Sequence, residues 1–146
     1  MFRGRFEHGL DGKGRLSIPA RFREVLATQY DERLVITNFD GCLWAYPVKE
    51  WEVVEQKIAA LPQFKDEVKA LLRVFVSGAT ECPIDKAGRI QLPPTLREYA
   101  GIARDVVLVG TLRRIELWAR ERWTQVFSEA QGALKGLGEK LAELGL

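Results

Sequence analysis

The chain has 146 residues, with 22 Lys plus Arg against 20 Asp plus Glu, a formal net charge of +2, and 47% apolar and 29% charged residues. A chain of this size buries roughly 68–70% of its unfolded surface on folding, so the composition describes one domain with its own core and excludes a disordered, collagen-like or disulfide-framework scaffold. Two cysteines, Cys42 and Cys82, without C-x-x-C spacing, and a single histidine, His8, argue against a zinc site of the N/S type.

Taken in chain order, the first segment, MFRGRFEHG, is cationic but runs into Leu10, Asp11 and Gly12 rather than an apolar stretch, so no secretory signal is expected. Phe6 to Leu10 is a short strand candidate that ends in the polar turn DGKGR. The strand after the turn alternates, with Leu16 and Ile18 on one face and Arg15 and Ser17 on the other. Two flanks around a Gly-bearing loop predict a β-hairpin. Pro19 stops the strand and suits the first turn of a helix, expected over about 20–28. Strands follow over Leu34 to Thr37 and up to Trp44. Residues 49–60 and 64–75 have helical spacing broken at Leu61-Pro62, with apolar stripes at Trp51, Val54, Ile58 and Leu61 and at Val68, Leu71, Leu72 and Phe75.

The pattern then starts again. Glu81 to Ile84 leads into DKAGR, Ile90 and Leu92 alternate with Arg89 and Gln91, and Pro93 opens a helix over 94–100 that Gly101 closes. Strands are predicted over Val106 to Thr111 and up to Trp118, and a helix over 120–130. A tail follows with Leu134, Leu137, Leu141 and Leu144 at heptad-like spacing, weakened by Gly132, Gly136, Gly138 and Gly145. No apolar run approaches the ~20 residues that span a bilayer, and the chain is expected to be cytoplasmic.

Shifted by 74 residues, the sequence matches itself at 13 of the 35 positions from 11 to 45, from Asp11 on Asp85 to Ala45 on Ala119, where chance gives roughly 2. The chain is a tandem duplication. Its divisions are 5–50 for the first repeat, 51–78 for a helical linker, 79–122 for the second repeat and 123–146 for a C-terminal helix and tail, the two repeats together making one unit.

No nucleophile, base or metal cluster emerges from the inventory, so an enzyme is not expected. Asp11 and Asp85 read most simply as side chains that cap their own turns. Gly14 and Gly88 supply the positive-φ position there. Residues 1–23 carry six cations against two acids, a net +4, whereas 49–70 sum to −1. Arg15 beside Lys13, and Arg89 beside Lys86, place cations at both turns. A two-stranded ribbon fits the DNA major groove, where Arg pairs with guanine or clamps a phosphate. The competing reading is that Arg15 and Arg89 bond Asp11 and Asp85 and stabilise only the hairpin. Arg23 and Arg97, next to Glu24 and Glu98, read as surface ion pairs.

The units LDGKGRLSIPARFREVL and IDKAGRIQLPPTLREYAGI resemble the AbrB-like swapped-hairpin domains of transition-state regulators. Two such units in one chain, each with a D-x-x-x-R signature at Asp11 to Arg15 and Asp85 to Arg89, resemble the MraZ family. That resemblance implies an α+β fold in which two tandem repeats form a β-rich, pseudo-dimeric swapped-hairpin barrel, with a helical linker and a C-terminal helix. It also implies a cytoplasmic, nucleoid-associated homo-oligomer, a closed ring, that binds double-stranded DNA at repeats upstream of the division and cell-wall gene cluster and regulates that cluster, its own gene included. No cofactor and no membrane partner are implied. The signature arginines carry over to Arg15 and Arg89, while Lys13 and Lys86 are added from charge and position. The alternative is an oligomeric scaffold with incidental DNA affinity, motivated by the modest net charge and the leucine-spaced tail.

Overall fold

The computed structural model describes residues 1–146. Eight strands and six helices alternate in the order β1 (Phe2–Gly9), β2 (Arg15–Ser17), α1 (Ala20–Gln29), β3 (Arg33–Phe39), β4 (Cys42–Pro47), α2 (Val48–Ala59), α3 (Asp66–Leu71), β5 (Thr80–Pro83), β6 (Arg89–Gln91), α4 (Pro94–Ala100), β7 (Asp105–Leu112), β8 (Ile115–Ala119), α5 (Arg120–Lys135) and α6 (Gly138–Glu143). The architecture is mixed α+β with antiparallel pairing throughout. A six-stranded sheet has the order β1-β7-β8-β4-β3-β5, and β2 and β6 form a separate two-stranded ribbon.

Under the 74-residue shift β1 to β4 correspond to β5 to β8, and exchanging the two sets reverses the sheet order onto itself. The sheet therefore has an internal two-fold, on which Leu43 faces Leu117 in the large sheet and Leu16 faces Ile90 in the ribbon. Each repeat completes the other. β1 lies along β7 from Phe2 opposite Leu112 to Gly9 opposite Asp105, and β5 lies along β3 from Thr80 opposite Ile36 to Pro83 opposite Arg33.

The hairpin expected within each repeat is not formed. Leu10 donates its amide to Arg104 O at 2.8 Å and Ile84 donates to Glu32 O at 3.0 Å, so both flanking strands spend their hydrogen bonds on the opposite repeat. β2 and β6 then pair with each other because Leu16, Ile18, Ile90 and Leu92 have only one apolar surface to share. These four join a 21-residue core drawn from both repeats, together with Phe22 and Leu26 of α1 and Leu96 and Ala100 of α4. Complete burial of a side chain of this kind stabilises by about 1.5–3 kcal/mol relative to exposure.

α1 and α4 match their expected spans and follow Pro19 and Pro93 as predicted. Gly101 ends α4 in the left-handed region at φ 67°. β1 begins four residues earlier than the sequence pattern suggests. Phe2 is fully buried edge-on to Phe22, at 5.6 Å between centroids, and anchors the extra residues of strand.

The linker helices cover the other face of β3 and β4. Trp51, Ile58 and Phe75 form a second apolar cluster with Val35 and Tyr46, whereas Leu61 falls beyond the end of α2 and is exposed. α3 widens into one π-helical stretch over Leu72–Val76, where Ser77 donates its amide to Leu72 O at 3.0 Å. The carbonyls left open where this helical stretch ends are taken by β3: the Thr37 hydroxyl donates to Phe75 O, and Asn38 Nδ2 donates to Val74 O at 2.7 Å.

α5 runs five residues past the predicted end and packs Trp123 and Val126 against Trp118, Cys42, Val107 and Val109. Of the tail leucines, Leu134 and Leu144 are exposed, Leu144 at 74%, and Leu137 and Leu141 are half-buried. Cys42 and Cys82 are buried free thiols, and burial pushes both up, Cys82 to about 11. No helix is long and apolar enough to cross a membrane.

Candidate nucleic-acid interface

Each D-x-x-G-R segment builds the same tight turn. In the first, Asp11 Oδ1 accepts the amides of Lys13 and Arg15, both at 2.9 Å, and Asp11 Oδ2 accepts Arg15 Nε at 2.7 Å. Gly14 donates its amide to Asp11 O at 3.1 Å, with φ at +76°. In the second, Asp85 Oδ1 accepts the amides of Ala87 and Arg89 at 2.9 Å, Asp85 Oδ2 accepts Arg89 Nε at 3.1 Å, and Gly88 has φ +79°. The spacing follows from reach. An Asp side chain bonds amides two and four residues on only if the chain reverses between them, and glycine makes that reversal without Cβ strain.

These bonds lower both carboxyls from the ordinary carboxylate value. Asp11 falls to about 2, chiefly because the Arg15 backbone N–H bonds its charged form, with the Arg15 guanidinium adding to the effect. Asp85 is lowered chiefly by the backbone N–H of Arg89. At neutral pH both are fixed anions that orient their turns and hold no proton to transfer.

The structure contains the Asp–Arg bonds of the competing reading, and they use only part of each guanidinium. Arg15 and Arg89 do bond the aspartates, but through Nε alone. The Nη groups of both have no partner within the chain. An Asp that holds Nε fixes the plane of the guanidinium and leaves its outer fork free for an acceptor brought from outside.

The ribbon puts both forks on one surface. Arg15 stands opposite Gln91, and Ser17 stands opposite Arg89, while Leu16 and Ile90 between them point into the core. The four polar side chains therefore share the outer face. The two arginines lie diagonally, roughly 8 Å apart at Cα from two residues of rise and one inter-strand spacing. The expected pair of separate basic hairpin tips is thus replaced by one ribbon with a turn at each end.

Lys13 and Lys86 are exposed at those turns, one at each end. They are not equivalent, because the repeat places Lys13 on Ala87 and Lys86 on Gly12. Gln91 is a member of the face that residue type did not single out. Its Nε2 donates to Lys13 O at 2.7 Å, and a Gln facing an Arg on the polar side of a short strand was the available signal.

Arg23 and Arg97 require a correction. Neither pairs with Glu24 or Glu98. Both are half-buried, with Arg23 Nε donating to Ile18 O at 3.1 Å and Arg97 Nε enclosed without a partner. Their guanidinium groups lie against the glycines of the opposite repeat's turn. Identity at this position in both repeats was the clue.

Comparison with known proteins gives a family model described as "MraZ protein, putative antitoxin-like", which matches residues 1–74 and again 75–136. A protein named transcriptional regulator MraZ from Desulfitobacterium hafniense is 48% identical over 147 residues, covering 100% of both chains. Proteins of the same name from Desulforamulus reducens and Pelotomaculum thermopropionicum are 44% and 43% identical, each covering at least 99% of both chains.

Proposed function

This chain belongs to the MraZ family, and from that premise we propose that it is a sequence-specific, double-stranded-DNA-binding transcriptional regulator whose contact surface is the outer face of the β2–β6 ribbon. The observation that carries the reading is the pair of aspartate-oriented arginines, Arg15 and Arg89, with free Nη forks on one face of a two-stranded ribbon. A ribbon of this width enters a major groove about 12 Å across, and the forks match the two acceptors of guanine or a phosphate. Lys13 and Lys86 flank the face and add contacts to the sugar-phosphate backbone. Asp11, Asp85, Gly14 and Gly88 are the structural residues of the turns.

The chain acts as an internal pseudo-dimer of the swapped-hairpin barrel type, and several copies close into a ring. One three-residue ribbon per chain presents little contact, so a single copy binds weakly. Joining ribbons in a ring makes later contacts intramolecular and raises avidity by roughly 10²–10⁴. The targets are repeated sites upstream of the division and cell-wall gene cluster, and the protein is cytoplasmic and nucleoid-associated. The exposed leucines of the tail suit contacts between copies.

Light-scattering mass with and without a duplex from the chain's own upstream region tests assembly and binding together. The expected result is an oligomer that gains the mass of the DNA and fails to do so with a scrambled duplex. An intact oligomer that gains no mass with the upstream duplex overturns the reading in favour of a scaffold.

A further inference from the structure

The two turns that present Arg15 and Arg89 are each braced by the other repeat. A methyl group placed on Gly14 would stand 3.1 Å from Arg97 Cζ and 3.1 Å from Gln91 Nε2; one placed on Gly88 would stand 2.9 Å from Arg23 Cζ and Nη1. The guanidinium groups therefore occupy the space that the missing Cβ atoms leave. Backbone bonds cross in the same sense. Leu92 donates its amide to Gly14 O and Ile18 donates to Gly88 O, both at 2.9 Å. The second repeat thus supplies Arg97, Gln91 and the Leu92 amide to the turn of Arg15. The first supplies Arg23 and the Ile18 amide to the turn of Arg89.

We infer that Arg97 and Arg23 are positioning residues acting crosswise, Arg97 fixing the turn that presents Arg15 and Arg23 fixing the turn that presents Arg89. The inference rests on the reading of Arg15 and Arg89 as DNA contacts. Its physical basis is that a planar, half-buried guanidinium laid on a glycine peptide resists displacement of the turn in a way that no side chain of the same turn provides. Asp11 and Asp85 fix each arginine relative to its own turn, and Arg97 and Arg23 fix that turn relative to the ribbon. The bracing is unequal. Gln91 adds a second support to the Arg15 turn, whereas its repeat partner Ser17 is too short to do the same for the Arg89 turn.

The test is a set of double-mutant cycles on the full-length oligomer, read as dissociation constants for the upstream duplex. Arg97→Ala is combined with Arg15→Ala and with Arg89→Ala, and Arg23→Ala likewise. The expected pattern is coupling of Arg97 with Arg15 and of Arg23 with Arg89, of roughly twofold to 150-fold, and additivity in the same-repeat pairs. Equal coupling to both arginines, or none, overturns the inference. Arg97→Lys is expected to bind as weakly as Arg97→Ala, because it keeps the charge and loses the plane. Rescue by lysine contradicts positioning and points to a direct phosphate contact.

A readout without DNA separates the inference from the reading beneath it. In amide NMR spectra of the free protein, Arg97→Lys is expected to move the Gly14 signal and leave Gly88 in place, and Arg23→Lys to do the reverse. If neither Arg15→Ala nor Arg89→Ala changes DNA affinity, the functional reading fails while these signals still decide the crosswise bracing. Unmoved glycine signals in the lysine variants overturn it.

Discussion

Asp11 holds its turn with one carboxylate oxygen and Arg15 with the other, so a single side chain sets both the backbone and the cation. Its lowered pKa gives this arrangement a pH signature. A carboxylate whose folded pKa lies below its unfolded value contributes stability that is fully present above the unfolded pKa and is lost as pH falls through the folded one. For Asp11 the window runs from 3.8 down to about 2. An NMR titration of the Asp11 carboxyl is expected to give a midpoint near the lower end of that window, and Arg15→Ala to move it upward. A midpoint of 3.8 in the unmodified chain contradicts the turn geometry. The residue types of this site were legible in the sequence because D-x-x-G-R needs no tertiary partner to close. What residue type left undecided was whether the Asp–Arg bond consumed the arginine. That depends on which nitrogen is used, and the answer is Nε.

At the level of elements, local rules and tertiary pairing part company. The helices after Pro19 and Pro93 and the left-handed Gly101 follow from backbone restrictions that act within a few residues, and they were readable in advance. The alternation of Leu16 and Ile18, and of Ile90 and Leu92, correctly gave the buried face of each short strand. It carried no information about the partner strand. A strand flanked by a glycine turn looks like half of a hairpin, and only the competition of β7 for β1 and of β3 for β5 turns β2 and β6 toward each other. The π-helical stretch was equally invisible, because it is held by Thr37 and Asn38 on a distant strand. Since β2 and β6 meet at Leu16 and Ile90, the ribbon depends on that pair. Leu16→Ala removes a fully buried side chain on the internal two-fold and is expected to cost about 2–5 kcal/mol in denaturant unfolding. A loss below about 0.5 kcal/mol, the level of an ordinary surface substitution, contradicts a ribbon packed on the shared core.

Over the whole molecule, the near-neutral net charge of +2 conceals its distribution. Duplication brings two copies of the D-x-x-x-R signature into one chain, and pairing between the repeats lays their arginines on a single face instead of on two separate tips. The near-equality of the repeats fixes this geometry, and their differences at Lys13 against Ala87 and at Ser17 against Gln91 make the two ends of the face distinct. The most direct measurement compares the unmodified protein with the Arg15→Ala/Arg89→Ala variant at matched solution mass, titrated into the upstream duplex and into a scrambled duplex of the same length at one salt concentration. The expected result is that the unmodified protein prefers the upstream duplex and that the variant loses that preference, at about 1–3 kcal/mol per engaged arginine. A variant that keeps both the affinity and the preference contradicts the assignment of the ribbon as the surface that reads DNA.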